Sequence, residues 1–203
     1  MTGDEFQKKY AAVVPGRDIT TDEGLKAAAI IVEQAAKEGV EYAIAGGIAM
    51  HIFGYLRATH DVDLLASKML DLPYEEKLSF GGVSHHIPVG ERKIIVDVIV
   101  RDDLYRNYYE AALRDAYWTK DGWRVVSPEW MVILKYMAAR SKDLLDLLWM
   151  LRQPGLVNRD KVAKLFEEIL GELGADAALK GLGQYYVQAE IMKSGDENGR
   201  QER

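Results

Sequence analysis

The hydrophobic positions change period along the chain, from helical spacing to strand-like runs and back to helical spacing. Thr20 is a predicted helix N-cap, with Glu23 as its capping-box partner. After it, apolar residues recur at helical spacing up to Gly39, where the helix is predicted to end. Short apolar runs with strand character, separated by turns, occupy residues 42–45, 61–65, 83–89 and 92–100. The pattern predicts an α+β fold of helices and a sheet.

The remaining segments are assigned by the same signals. Residues 5–14 and 103–116 have helical composition, whereas 68–79, interrupted by Pro73, is predicted to be a short helix or loop. Gly90-Glu91 suits a hairpin turn between two antiparallel strands. A short strand is predicted at 123–126.

The C-terminal third is predicted to be helical. Ser127 and Pro128 supply the N-cap and first-turn proline of a helix that is predicted to run without a break to Leu151. Further helices are predicted at 159–170 and 183–193. The domain prediction is therefore a lobe over residues 1–126, a helical region over 127–193 and a disordered polar tail over 194–203.

Two aspartates open the second predicted strand. Because side chains alternate along a strand, Asp61 and Asp63 point to the same face, with Cα atoms roughly 6–7 Å apart. Two carboxylates at this spacing repel each other unless a cation lies between them. Magnesium suits such a site, since it takes oxygen ligands from carboxylates and substrate phosphates.

A glycine pair precedes these aspartates. Gly46 and Gly47 follow the first predicted strand and precede a short predicted helix at 48–53. A turn without side chains lets backbone N–H groups approach a phosphate, and the helix N-terminus adds positive potential. The combination predicts metal-assisted chemistry on a nucleotide.

A third carboxylate interrupts an apolar face of a later strand. Asp97 shares its face with Ile95 and Ile99 in the predicted strand over 92–100. A charge in this position is costly unless it binds a metal or a partner.

Gly46-Gly47 with Arg57-x-Thr59-x-Asp61-x-Asp63 resembles the signature of the nucleotidyltransferase superfamily, the polymerase-beta-like fold. The Gly-Gly form is similar to the AbiEii-type toxins and to small antibiotic nucleotidyltransferases. The resemblance implies a mixed sheet flanked by helices, with a C-terminal helical region. It also implies that a later strand supplies a third carboxylate, and Asp97 fits that position. It is strong for residues 40–100 and moderate for 125–170.

The helical region carries a second element of this resemblance. Lys135, followed by Arg140, Lys142, Asp143 and Asp146, is similar to the segment after the catalytic lobe in AbiEii-like proteins. An apolar run precedes Lys135, so this lysine is expected to point inward and to neutralise triphosphate charge. The spacing departs from the toxin pattern, because the small polar residue expected between the lysine and the arginine is missing.

The resemblance implies a metal-dependent transfer of a nucleoside monophosphate from a nucleoside triphosphate to a hydroxyl group. Asp61, Asp63 and Asp97 would bind Mg²⁺, with Mn²⁺ as an alternative, and Asp97 could instead act as a base. Gly46, Gly47, Arg57 and Thr59 would contribute to nucleotide binding. The expected acceptor is tRNA, another cellular target or a small hydroxylated molecule such as an antibiotic, and an antitoxin protein is a possible partner.

Two other classes of function stay open. The first is a non-catalytic relative that uses the same fold as an antitoxin or sensor. The second is a different Asp-x-Asp enzyme. Haloacid-dehalogenase-like phosphatases need a threonine at the position that Leu65 occupies in this chain. Sugar-nucleotide glycosyltransferases also use Asp-x-Asp with a metal, but they are not expected to carry the upstream glycine pair.

Composition narrows the setting of the protein. The 203 residues carry a net charge of −6, which argues against a surface that coats nucleic acid. There is no cysteine, so disulfides and thiolate metal sites are excluded. No apolar run approaches the roughly 18 residues of a membrane span, and the N-terminus lacks signal-peptide features. We therefore expect a cytoplasmic protein.

Overall fold

The structure, a computed structural model, describes the backbone of residues 18–201 and the side chains of residues 18–194. The helix predicted at 5–14 lies outside the described residues. The chain divides into two compact units, and the division falls between Val126 and Ser127. No helix among the described residues is long and apolar enough to cross a membrane.

The first unit is an α+β structure, as the hydrophobic pattern predicts. Its helices are α1 (Thr21–Glu38), α2 (Gly46–Ile52) and α3 (Arg106–Arg114). Its strands are β1 (Tyr42–Ala45), β2 (Asp61–Ala66), β3 (Glu76–Lys77), β4 (Val83–Val89), β5 (Arg92–Ile99), β6 (Tyr117–Trp118) and β7 (Arg124–Val125).

These strands form one mixed sheet in the order β3-β4-β5-β2-β1-β7-β6. β2 runs parallel to β5, whereas the β1–β2 and β4–β5 pairs are antiparallel. Val62, Leu64, Val96 and Val98 alternate along β2 and β5 and are almost completely buried. The residues between them, which include the aspartates, are only half-buried, so one face of the central strands carries the core and the other carries the acids.

The sequence pattern missed two short strands. β3 lies within the segment predicted to be a short helix or loop, and β6 lies just after α3. Each has only two residues, which is too short for an alternating pattern to be visible. Both occupy sheet edges, where pairing with a neighbouring strand defines them.

The second unit contains α4 (Pro128–Ala138), α5 (Ser141–Arg152) and α6 (Arg159–Gln201). The prediction of one unbroken helix from 130 to 151 is wrong, because Ala139 adopts a left-handed conformation with φ 50° and ends α4. The helices predicted at 159–170 and 183–193 both lie within α6, which is non-helical at Gly171. The helix continues to Gln201, into the segment for which the sequence predicts disorder.

The N-terminus of α1 is closed by the predicted capping box. The Thr20 side chain accepts a hydrogen bond from the Glu23 backbone N–H, and the Glu23 carboxylate accepts one of 2.8 Å from the Thr20 N–H. Arg92 of β5 also donates to Glu23, over 2.6 Å. The Thr20 N–H and then the Arg92 guanidinium lower the pKa of Glu23 from 4.5 to about 2. One side chain thus caps α1 and ties it to the sheet.

This lowered pKa makes the folded state sensitive to acid. The ionised Glu23 stabilises the fold above its unfolded pKa near 4.5, and this contribution is lost as the pH falls through 4.5 towards 2. We expect Glu23→Gln to lower the free energy of unfolding at pH 7 by about 1–2 kcal/mol and to flatten its dependence on pH in this window. Urea unfolding at a series of pH values measures both effects. Equal slopes in the variant and the wild type would contradict the role given to Glu23.

Candidate active site

The sheet brings the three predicted carboxylates onto one face. Asp63 of β2 lies directly opposite Asp97 of β5, and Asp61 lies opposite Ile95. Residues paired in this way on neighbouring strands point to the same face, and the strands are about 4.8 Å apart. All three aspartates are half-buried. The register therefore places Asp97 close to Asp61 and Asp63, although more than thirty residues separate it from them in sequence.

A hydroxyl group holds each of two carboxylates. The Thr59 hydroxyl donates a 3.2 Å hydrogen bond to Asp61 Oδ1, and Thr59 itself is buried. The Ser84 hydroxyl of β4 donates a short hydrogen bond to Asp97 Oδ1 from a buried position directly opposite it. These bonds restrict the directions in which the two acids can point.

Ser84 is a site residue that sequence reasoning missed, although a signal was present. The predicted turn at Gly90-Glu91 sets Val89 opposite Arg92, and this pairing fixes the register of the whole hairpin. Counting back along both strands places Ser84 opposite Asp97. Glu76 of β3 was also missed; it pairs with Ser84 and lies in a two-residue strand that has no visible pattern.

The surroundings of Asp97 disfavour its charge. Burial raises the pKa of Asp97, and the hydrogen bond from Ser84 partly opposes this. The negative charges of Asp61 and Glu76 raise it further, whereas His86 lowers it, and the net direction is upward. The carboxyl of Asp97 is thus held closer to accepting a proton than an ordinary aspartate.

The glycine pair packs against these side chains. Gly46 begins α2 with a left-handed φ of 56°, and a Cβ placed there would lie 1.6 Å from Asp63 Oδ2. A Cβ on Gly47 would lie 2.1 Å from Thr59 Oγ1. Both glycines are therefore required by the close approach of the Asp63 and Thr59 side chains. Their predicted contact with a phosphate stays a prediction.

Arg57 is fixed mainly through its backbone. Its carbonyl oxygen lies 2.6 Å from Nε2 of the buried His51, which must donate because a carbonyl only accepts. His51 Nδ1 then accepts from the Thr21 hydroxyl at 3.0 Å. The Arg57 side chain is half-buried and donates a 2.7 Å hydrogen bond to the Ala58 carbonyl. This histidine links α1, α2 and the segment that leads to Asp61.

The aspartates suit a magnesium ion in their donor type but not in their spacing. Carboxylates on one face of neighbouring strands are the right donor type, and a cation would offset the negative charges that raise the pKa of Asp97. In the part of the chain with described side chains, however, no three His, Asp or Glu residues are grouped closely enough to hold a metal ion. A metal ion held by three of these carboxylates would therefore need their side chains to move closer together.

Lys135 lies in the second unit, within a buried ionic network. Its Nζ is 2.9 Å from Asp143 Oδ1 and 2.7 Å from Asp146 Oδ2, and all three residues are buried. Arg140 also binds Asp143. Burial tends to raise the pKa of Asp143, but Arg140 and Lys135 outweigh it and hold the pKa below its usual range. The prediction that Lys135 is buried is confirmed, and its charge is matched within its own unit.

One unbroken helix from 130 to 151 would place Lys135 and Lys142, seven residues apart, on the same face. In the structure the two lysines lie on different helices, α4 and α5. Lys142 is exposed near the start of α5.

Solved structures of known proteins include chains that resemble this one. The fold is similar to the crystal structure of an antigenic nucleotidyltransferase-like protein from Paracoccidioides brasiliensis. The TM-score is 0.46 and the sequences are 19% identical, over 81% of this chain and 95% of that one. No family model matches the chain, and no curated protein matches it.

The contact between Gly46 and Asp63 can be tested with a matched pair of variants. Gly46→Ala combines a left-handed φ with a clash, whereas Gly90→Ala has φ 59° and no neighbouring atom within 4 Å of the added Cβ. We expect Gly90→Ala to cost about 1–2 kcal/mol of unfolding free energy, and Gly46→Ala about 3 kcal/mol or more. Chemical denaturation measures both. Equal losses would show that Asp63 does not press on Gly46.

The buried network predicts a large effect of removing Lys135. Lys135→Met leaves Asp143 and Asp146 buried without their shared partner, and we expect a loss of about 3–5 kcal/mol in unfolding free energy. The control is Lys26→Met, which removes a lysine from an exposed pair with Asp22 and should change little. If both variants unfold at the same urea concentration, Lys135 does not stabilise the second unit.

Proposed function

We propose that this chain is a metal-dependent nucleotidyltransferase. It transfers a nucleoside monophosphate from a nucleoside triphosphate to a hydroxyl acceptor and releases pyrophosphate. The proposal rests on one observation, the register that sets Asp63 opposite Asp97 with Asp61 on the same face. The Gly46–Gly47 turn packs directly against Asp63 and Thr59. The Gly-Gly and Asp-x-Asp motifs, which resemble the signature of that superfamily, therefore lie together.

The residues have separate roles in this proposal. Asp61 and Asp63 hold Mg²⁺ or Mn²⁺, and bound metal would stabilise negative charge on the attacking and leaving oxygens. Asp97 joins them as a ligand or takes the proton from the acceptor hydroxyl as it attacks the α-phosphorus. Without metal the pKa of Asp97 is raised, chiefly by burial, so this carboxylate accepts a proton more readily than an ordinary aspartate.

The remaining site residues would bind the nucleotide. Gly46 and Gly47 offer backbone N–H groups at the start of α2, and Thr59 keeps Asp61 in place. Arg57 would contact phosphate oxygens. Lys135 would add positive charge only if its ion pairs with Asp143 and Asp146 exchanged for phosphate.

The expected acceptor depends on which branch of the superfamily the chain resembles. Likeness to AbiEii-type toxins favours tRNA or another cellular target and an antitoxin protein as partner. Likeness to antibiotic nucleotidyltransferases favours a small hydroxylated molecule. The net charge of −6 supports the small molecule, since it weakens association with RNA.

A second candidate function is a non-catalytic protein that binds a partner through the same fold. It is favoured by the arrangement of the described carboxylates, no three of which lie close enough together to hold a metal ion. Nucleotide binding without magnesium dependence, or no binding at all, supports this candidate.

Calorimetric titration with each of the four nucleoside triphosphates, with and without magnesium, tests the proposal. We expect magnesium-dependent binding that is lost in Asp61→Asn/Asp63→Asn, because these amides keep the shape of the side chains and remove their charge. Glu167→Gln/Glu168→Gln, on the exposed surface of α6, is the matched control and should bind like the wild type. Unchanged magnesium-dependent binding in the aspartate variant would overturn the assigned roles.

Turnover is then measured with the bound nucleotide, labelled at its α-phosphate. Transfer of label to tRNA or to an aminoglycoside would identify the acceptor class. The aspartate variant should lower the rate by a factor of about a thousand or more.

A further inference from the structure

The first unit contains a cavity of about 540 Å³ at the ends of β2 and β5. Its lining comes from the ends of these strands, from the loop before β3, from the Gly81-Gly82 turn and from α3. This volume lies within the range of roughly 300–1,000 Å³ that is typical of small-molecule sites. The cavity belongs to one unit and is distinct from the group of carboxylates.

The floor of the cavity is apolar. Leu65, Ile99, Val83 and Leu113 line it, and each is buried. Tyr74 and Tyr109 add aromatic rings to the wall. A flat apolar group would be removed from water on this floor.

One side of the cavity is held rigid by Arg101. Its guanidinium lies over the rings of Phe80, Tyr105 and Tyr109, at 4.7, 5.3 and 4.7 Å from their centroids. The same group donates to both carboxylate oxygens of Asp103, at 2.9 and 2.5 Å. Stacking and a two-point ion pair fix this wall before any ligand arrives.

The Gly81-Gly82 turn is another constrained part of the lining. A Cβ on Gly81 would lie 2.3 Å from the Val100 carbonyl oxygen, and one on Gly82 would lie 2.2 Å from that of Val98. The turn therefore packs with its backbone against the C-terminal end of β5 and the residues that follow it.

The lining has more positive than negative side chains, although the protein is acidic overall. Lys77, Arg101 and Arg106 face two carboxylates, those of Asp102 and Glu110. Arg106 pairs with Glu110 at 2.6 Å, but both side chains are more than half exposed, so this pair is weak and can be exchanged for a ligand. Among the described side chains, no ion pair involves Lys77.

We propose that this cavity binds a small organic anion with a flat apolar body and a single acidic group. The body packs on the floor, and the acidic group reaches Lys77 and Arg106 at the rim. Leu65 and Ile99 follow Asp63 and Asp97 by two positions, so the ligand lies on the same sheet face, roughly 6–7 Å along the strands from those acids. This binding does not depend on nucleotide transfer and is tested without a nucleotide.

The test uses the fluorescent probe anilinonaphthalene sulfonate and its uncharged counterpart N-phenylnaphthylamine. We expect saturable binding of one sulfonate probe per chain, with an affinity at least about tenfold higher than that of the uncharged probe. Absence of saturable binding, or equal affinity for both probes, would overturn the proposal.

Two pairs of variants locate the bound probe. Met69→Trp enlarges an exposed side chain of the lining, and Met192→Trp makes the same change at similar exposure on α6. Lys77→Ala/Arg106→Ala removes the rim cations, and Lys26→Ala/Lys180→Ala removes two exposed cations elsewhere, so that the net charge changes equally.

The site variants and their controls should separate clearly. We expect Met69→Trp to weaken both probes about tenfold, and the rim variant to weaken only the sulfonate by a similar factor. Both controls should match the wild type, and circular dichroism checks that every variant folds. Equal probe affinities in Met69→Trp and Met192→Trp would overturn the location, and an unchanged sulfonate affinity in the rim variant would overturn the acidic group.

Discussion

The register between β2 and β5 is the constraint on which the candidate site depends. It sets Asp63 opposite Asp97. The antiparallel pairs on either side extend this row of paired residues across the sheet, to Ala45 beside Asp63 and to Ser84 and then Glu76 beside Asp97. A slip of one residue would turn the acids towards the buried face and expose its valines and leucines. The cost of that slip is large, so the buried apolar residues are what hold the acids in position.

The glycine pair and the acids form one packed assembly. A glycine is needed at position 46 because the carboxylate of Asp63 lies beside its Cα, and at position 47 because Thr59 does. Thr59 in turn donates to Asp61. Motif residues that are separated along the chain are thus joined through steric contact and hydrogen bonding. Any nucleotide at this turn would have to be accommodated beside the Asp63 side chain.

Much of the fold could be predicted from the sequence because its main elements have strong local signals. The capping box at Thr20, the hairpin at Gly90 and the cap at Ser127 are each specified by a few adjacent residues. The end of α4 has no such signal, because alanine is a good helix former and yet Ala139 adopts a left-handed conformation. The three aspartates were also found from local patterns, whereas Glu76 is brought to the row by a strand too short to recognise.

The network around Lys135 joins α4 to α5 across the break at Ala139 by charge rather than by a rigid loop. One buried lysine is shared by two buried acids, and Arg140 pairs with Asp143 from the exposed side. Replacing the lysine alone leaves both carboxylates in the interior without their shared partner, whereas replacing all three buried residues by apolar residues of similar volume does not. Evolutionary change at these positions is therefore expected to be concerted, so that a lineage loses or keeps the lysine and both aspartates as a set.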